Sequence, residues 1–374
     1  MLIFSAKRFG IEENMNRIRI GTRGSKLALQ QASLVQQALQ RADSHMETEI
    51  VILHTKGDRV QDKPLSELGD KGVFASELEQ ALLEERIDIA VHSAKDLPVV
   101  LAEGLAIAAV LPRADVRDVL VIPEGGRIPS VREYGRGIRA ASDRKEQRPF
   151  VIGTGSRRRQ LQAGQFWENV ICENIRGNVD TRLRKLKEGS YDGIILAKAG
   201  TDRLGIGAGS GRSDEFLFCP LSPERFLPAA CQGIIAVEAA QDSVAAALCR
   251  EITDAETELC FLAEREVLAR LSADCSEAAA VWCRRERGGL VLDVMYAGIR
   301  QRLAVQRENP GGPDGYAVVQ AVENPERKGI YPMEAPCVTG NVNKESVYRT
   351  ETAAALEMAR QAAVLVKIRE KGQI

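Results

Sequence analysis

Apolar and polar positions change period several times along the chain, and each change marks an element. Arg17 to Ile20 alternate as a strand does, and Gly-Thr-Arg-Gly-Ser then breaks the pattern. Ala28, Ala32, Val35 and Leu39 follow at i, i+4, i+7 and i+11, the spacing of one buried helix face. Ile50 to His54 read as a second strand. Phe74, Leu78, Ala81 and Leu82 mark another amphipathic helix, with Phe74 on its apolar face. Ile87 to Val91 form a buried strand that runs into HSAKDLP. Strands alternating with helices predict an open, mainly parallel α/β sheet.

Ile122 to Arg148 are rich in Gly, Pro and charge and read as a long loop. The pattern then restarts. Val151 and Ile152 lead into GTGSRRRQLQ, Val170 and Ile171 into ENIRGN, and Gly193 to Ala197 form a short buried strand. IGTRGSKLALQQ and IGTGSRRRQLQA echo one another as strand, Gly/Thr/Ser turn and helix start, which points to two similar α/β domains facing a cleft. Ile234 to Ala239 read as a strand returning to the first domain. From Asp254 the composition changes: a helix through Leu259, Leu262 and Leu268, then DCSEAAAVWC, LVLDVMYAGI and a strand near Leu303. Turns such as RRERGG and NPGGPDG predict antiparallel pairing there. With a final helix over Glu351 to Arg369, this third unit reads as a small α+β domain.

A length of 374 residues supports two or three domains. The 44% apolar and 28% charged fractions are those of a soluble globular protein. A net charge of -1 leaves no whole-chain basic field to recruit nucleic acid, so any basic patch is local. No apolar run is long enough to cross a bilayer. The stretch MLIFSAKRFGIEENMNRIRI lacks a signal-peptide pattern, and Met15 is an alternative start because patterning begins at Arg17. The 8 cysteines include no CxxC pair and are expected to be reduced thiols in the cytoplasm. The 3 histidines, His45, His54 and His92, are scattered, so no metal site is expected.

Within this near-neutral chain the arginines are placed unusually. Ser25 and Ser156 occupy N-cap positions, with Arg23 beside one and Arg157, Arg158 and Arg159 opening the helix after the other. A helix N-terminus is already partly positive, so cations there are unfavourable unless an anion binds. Arg176, Arg182, Arg184 and Arg203 follow strand ends. Each could simply be solvated, but as a set at strand-to-helix junctions they point to a polyanionic ligand. In HSAKDLP a buried strand delivers His92, Ser93, Lys95 and Asp96 to its C-terminal end. Asp96 is either an ordinary turn residue or a carboxylate that stabilises developing positive charge or carries a proton. Cys249 and Cys260 fall on helices, where burial is the default, and Cys219 precedes a turn. Cys275 lies in the polar loop ADCSEA and is a candidate nucleophile or attachment point.

These pieces, in this order, resemble the porphobilinogen deaminase (hydroxymethylbilane synthase) family. The stretches that carry the resemblance are TRGSKLAL, GDKGVFASELE, DIAVHSAKDLP, RADVRDVLV, IGTGSRRRQ, IRGNVDTRL, YDGIILAKAGTDRLG and LPAACQG, between about Arg17 and Glu238. The resemblance implies an α/β fold: two type II periplasmic-binding-protein-like domains around a cleft, with a small C-terminal α+β domain. The expected spans are 15–111 plus 234–251, 117–227 and 255–374. It implies a dipyrromethane cofactor joined by a thioether to Cys275, and porphobilinogen as substrate. Both are rich in carboxylates, the groups the arginines call for.

By the resemblance Asp96, Arg23, Arg158, Arg159 and Arg182 are catalytic. Ser25, Lys71, Ser93, Lys95, Thr154, Ser156, Arg158, Arg159, Arg176 and Arg203 contact cofactor or substrate. Substrate loses ammonia to an azafulvene, which the free α-carbon of the terminal pyrrole attacks, with Asp96 stabilising the cationic intermediates. Four additions are followed by hydrolytic release of a linear tetrapyrrole. A monomer is implied, without metal, nucleic acid or membrane. Several positions depart from the family pattern. DCSEAAA lacks the Gly before and the Pro after the cysteine, which makes Cys283 a second candidate anchor. Glu67 stands where a lysine is frequent, and Gly155 where a serine is. Arg157 and Lys198 are cations at commonly apolar positions, and 122–149 and 206–216 read as insertions. A non-catalytic anion receptor of the periplasmic-binding class is the alternative, and a phosphate-handling enzyme ranks last because no GxxxxGK[ST] is present.

Overall fold

A computed structural model describes residues 17–53, 75–131, 148–207, 213–273, 277–286, 289–307, 316–321, 332–333 and 344–370. Expectations on Glu67, Lys71, Phe74 and Cys275 lie outside these residues. The chain starts with β1 (Arg17–Arg23), α1 (Lys26–Ala42), β2 (Glu47–Leu53), α2 (Ser76–Leu83), β3 (Ile89–Ser93) and β4 (Leu105–Val110). A second body holds β5 (Asp118–Pro123), β6 (Phe150–Gly153), α3 (Arg157–Phe166), β7 (Val170–Glu173), α4 (Val179–Lys187), β8 (Gly193–Ala197), α5 (Lys198–Arg203) and β9 (Phe216–Pro220). The chain then returns to the first body as β10 (Ile235–Ala240) and α6 (Val244–Arg250).

The strand orders, β2-β1-β3-β10-β4 and β7-β6-β8-β5-β9, are the same order twice. In each sheet the fourth strand comes from the far side of a domain crossing and runs antiparallel to both neighbours, while the other pairs are parallel. Four of the five strands in each sheet therefore run the same way, as expected of a mainly parallel sheet, and the strand from the crossing is the exception. A strand that enters from the other domain meets the sheet from the opposite direction. Two sheets of this order, linked by exchanged strands, make the type II periplasmic-binding-protein-like pair. The expected internal echo is real at this level, since β1–α1 and β6–α3 hold equivalent places.

Local chemistry explains the elements nearest the cleft. In β1 the alternation buries Ile18 and Ile20 beneath α1, whose Ala32, Val35 and Leu39 face them. Ser25 caps α1 by accepting from the Ala28 N–H at 3.2 Å, and Ser156 caps α3 by accepting from Arg159 N–H at 3.4 Å. Both helices therefore start at the C-terminal edge of a parallel strand, the edge where open α/β sheets bind ligands.

The third body begins with α7 (Ala255–Leu271), capped by Asp254, whose carboxylate accepts from Thr257 N–H at 2.8 Å. Strands β11 (Ala279–Glu286), β12 (Gly289–Tyr296), β13 (Ile299–Arg307), β14 (Tyr316–Ala321) and β15 (Pro332–Met333) form one antiparallel sheet in sequence order. The last helix, α8 (Lys344–Glu370), starts earlier than the expected Glu351. Its Ala355, Met358, Ala359, Ala362 and Val366 keep helical spacing and pack with α7 against the sheet.

All three bodies meet at one ion pair. Arg113, on the connection from β4 to β5, donates to both carboxylate oxygens of the fully buried Glu264 of α7, at 2.6 and 3.2 Å. Glu264 also accepts from the backbone N–H groups of Cys283 and Cys231, and Arg113 Nε donates to Gln232 O at 2.9 Å. A buried charge is tolerable only when paired and hydrogen-bonded, and here the partners come from the β4–β5 connection, the β9–β10 connection and β11. No helix among the described residues is long and apolar enough to cross a membrane.

Candidate active site

A cavity of about 250 Å³ lies between the first two bodies, at the C-terminal edges of their parallel strands. Arg23, Ser25, Ser93, Lys95 and Asp96 line it from one side, and Arg159, Arg182 and Arg203 from the other. The structure thus brings together eight of the residues singled out in the sequence, from strand ends and helices spread between Arg23 and Arg203. Asp96 is exposed, at the end of a short 3-10 turn (Ala94–Asp96) that follows β3 directly. His92 is buried on β3, its Nε2 3.0 Å from Glu238 Oε2. Across the mouth, Lys26 at the start of α1 pairs with Asp180 of α4 at 3.0 Å.

The wall is crowded with cations, and their titration reflects it. Burial pushes the Lys95 ammonium down to about 8, Asp96 pulling it back and Arg159 adding to the push. Burial lowers Arg182 to about 10, with neighbouring Arg159 and Arg176 lowering it further and Asp96 opposing. Arg203 is also lowered to about 10 by burial, against the pull of Asp202. Some of these cations are already anchored by carbonyls: Arg182 Nε donates to Gly177 O at 2.8 Å and Arg203 Nη2 to Gly233 O at 2.7 Å. Such contacts fix direction but supply no negative charge, so the lining keeps an excess of cations over carboxylates, which suits an anionic ligand.

The three successive arginines do three different things. Arg157 is exposed. Arg158 is buried, donates to Leu227 O at 2.6 Å and pairs with Asp118 at 2.8 Å, outside the cavity lining. Arg159 is also buried, donating to Ile195 O and to Asp118 at 2.8 Å each, yet it still lines the cavity. Both arginines thus share one internal carboxylate, Asp118, and of the two only Arg159 reaches the cavity lining. Thr154 and Ser156 are likewise outside the lining, where they shape the β6–α3 turn: Thr154 Oγ1 accepts from Ser156 N–H at 3.2 Å. Arg176 stands behind Arg182, outside the lining, and its carbonyl accepts from Lys185.

Sequence reasoning missed Asp118, Gln232 and Gln31. Asp118 is fully buried and also accepts from Gln232 Nε2 at 3.0 Å. Burial alone would raise its pKa, but Arg158 and Arg159 hold it well below the usual carboxylate range. Gln31 donates to Ser93 Oγ at 2.8 Å, tying α1 to the strand that carries Asp96. Gln31 left a readable signal, since it falls three residues after Ala28 on the buried face of α1. The departures have local reasons as well. A Cβ on Gly155 would lie 2.7 Å from Asn174 Oδ1, so a serine there requires Asn174 to move. Lys198 is paired with Asp202 at 2.7 Å, on α5 itself. Cys283 is buried on β11, where contact with Cys260 and burial raise its thiol pKa well above the ordinary value. That makes it a poor candidate anchor.

Residues 18–247 match the family model described as "Porphobilinogen deaminase, dipyromethane cofactor binding domain". The chain is 38% identical over 307 residues to the porphobilinogen deaminase of Roseiflexus sp. (strain RS-1), covering 81% of this chain and 94% of that one. It is 40% identical over 262 residues to that of Exiguobacterium sibiricum, covering 70% of this chain and 78% of that one. Against Acidithiobacillus ferrooxidans the figures are 37% over 326 residues, 84% and 90%. Among solved structures it is similar to the periplasmic aliphatic sulphonate-binding protein SsuA of Escherichia coli, at 12% identity and a TM-score of 0.36 over 68% of this chain and 70% of that one. The fold assignment rests on the strand orders above. With a family model matched over more than half its length and relatives aligned over most of it, the chain belongs to the porphobilinogen deaminase family and carries that family's dipyrromethane-cofactor-binding domain.

Proposed function

We propose that this cleft joins four porphobilinogen molecules head to tail on a covalently held dipyrromethane and releases a linear hydroxymethylbilane. The observation that carries the reading is the crowd of cations around Asp96: Arg23, Lys95, Arg159, Arg182 and Arg203 in one cavity. The cofactor and the substrate bring acetate and propionate groups, and carboxylates are what lowered ammonium and guanidinium pKa values call for. Arg23, Arg182 and Arg203, with Ser25 and Ser93, are the residues we assign to hold them. When bound through Cys275, dipyrromethane supplies the pyrrole carbon to which the first substrate is joined. Asp96 does the remaining electrostatic work. Its carboxylate stands at a strand end among fixed dipoles and stabilises positive charge that develops on pyrrole N–H groups as ammonia leaves. Lys95, beside it, holds a proton near the working pH and can place it on a leaving group.

The reading extends to the setting. The described cysteines are free thiols, which suits the reducing cytoplasm. One chain supplies both cavity walls, which suits a monomer. The test is turnover of porphobilinogen by the full-length protein, following substrate loss and ammonia release together. One ammonia per porphobilinogen is expected. Asp96→Asn should lower kcat by roughly 10²–10³-fold while the urea midpoint stays within error, because the side chain is exposed. Tight binding of porphobilinogen without ammonia release would instead identify a carboxylate receptor.

A further inference from the structure

The turn that presents Asp96 is held from behind by the third body. Ala94 and Leu97, which flank Lys95 and Asp96, are buried in the same apolar cluster as Leu259, Phe261 and Ala263 of α7. On that helix Arg265 donates through Nη2 to the carbonyls of Pro98 and Val99, at 2.7 and 2.6 Å. Its guanidinium also lies 5.6 Å from the Phe261 ring centre. Burial lowers its pKa, while Glu238 on β10 pulls it back up. Apolar packing holds the turn against the helix but leaves it free to slide. A partly desolvated cation satisfied by two adjacent carbonyls is directional and fixes the path of the backbone just after Asp96.

The same helix leads to the cofactor loop. Helix α7 ends at Leu271, and Cys275 follows four residues later in the sequence. Arg265 stands about 9 Å back along the helix axis, at about 1.5 Å of rise per residue. We propose that Arg265 is a positioning residue for the reaction, holding the Asp96 turn in register with the helix that leads to the cofactor cysteine. This rests on the roles given above to Asp96 and Cys275. Arg265 lies outside the cavity lining; it acts through Asp96, whose carboxylate must be held facing the pyrroles carried on a Cys275-linked cofactor.

The experiment uses full-length holoprotein with Arg265→Met, Arg265→Lys and, as a control on the same helix, Arg270→Met. Arg265→Met is expected to lower kcat by about tenfold to hundredfold with KM for porphobilinogen little changed, the cost of misplacing a catalytic group by about an ångström. Arg265→Lys, which keeps a donor and a charge, should recover part of that loss, and Arg270→Met should match the parent. Combined with Asp96→Asn, Arg265→Met should lower the residual rate no further, because the group it positions is gone. Hydrogen exchange of the peptide spanning Ser93 to Leu101, measured without substrate, should quicken in Arg265→Met. That arm reads the hold on the turn even if the parent protein fails to consume porphobilinogen, a failure that would count against the proposed reaction. Unchanged exchange, or an unchanged kcat in a protein that turns over, would overturn the role of Arg265.

Discussion

Asp118 sits fully buried between Arg158 and Arg159, and Gln232 donates to the same carboxylate. The pair of arginines would otherwise be two uncompensated charges in the interior of the second body. Asp118→Asn is therefore expected to destabilise the protein by about 3–5 kcal/mol at pH 7, read by urea denaturation. The folded pKa of Asp118 is depressed, so its contribution is complete above the unfolded carboxylate value of about 3.9 and is lost as pH falls through the lower folded value. The gap between parent and variant should narrow below about pH 4; a loss under about 1 kcal/mol at pH 7 would contradict this account. Lys95 gives the opposite kind of pH dependence. Its ammonium is pushed down to about 8, and carboxylates in the cavity restore the charged form. KM for porphobilinogen should rise as pH climbs through about 8, and Lys95→Arg, charged throughout, should remove most of that rise. A flat KM from pH 7 to about 9.5 in the parent protein would remove Lys95 from ligand binding. At this scale the sequence was read in part. Asp96, Arg159, Arg182 and Arg203 were legible because strand-turn-helix junctions announce themselves. Asp118 was not, because the Arg159 and Gln232 that explain it lie 41 and 114 residues away.

The helices were legible as elements because their apolar period of 3.6 is set by local geometry, as Ala32, Val35 and Leu39 of α1 show. Strands β4, β5 and β9 went unread. Each is a short apolar run with no periodicity to separate it from a buried loop, and its direction depends on which sheet receives it. The exchange of β5 and β10 between the sheets is a tertiary fact, settled where the chain crosses. Gly233 marks one such crossing. It lies on the cavity wall with φ +89°, and an added Cβ would meet Ala114 O at 2.6 Å. Its carbonyl accepts from Ala114 N–H at 3.1 Å and from Arg203. Gly233→Ala should cost about 1–3 kcal/mol in backbone strain and displace the paired crossing strand, lowering the urea midpoint. An unchanged midpoint would mean the two crossings are not coupled as described.

Taken whole, the described residues form three bodies sharing one buried ion pair, Arg113 with Glu264, and one cavity across which Lys26 pairs with Asp180. Exchanged strands keep the two walls together, and α7 links the Asp96 turn to the segment that holds Cys275. In the proposed function this cavity works on a dipyrromethane fixed to the chain itself. The most direct measurement is the intact mass of the purified full-length protein, before and after incubation with porphobilinogen. A covalent excess equal to two linked pyrrole units is expected, lost in Cys275→Ala and retained in Cys283→Ala, because the Cys283 thiol is buried on β11. A protein that keeps its bare sequence mass after that incubation, or a Cys275→Ala variant that still carries the excess, would contradict it.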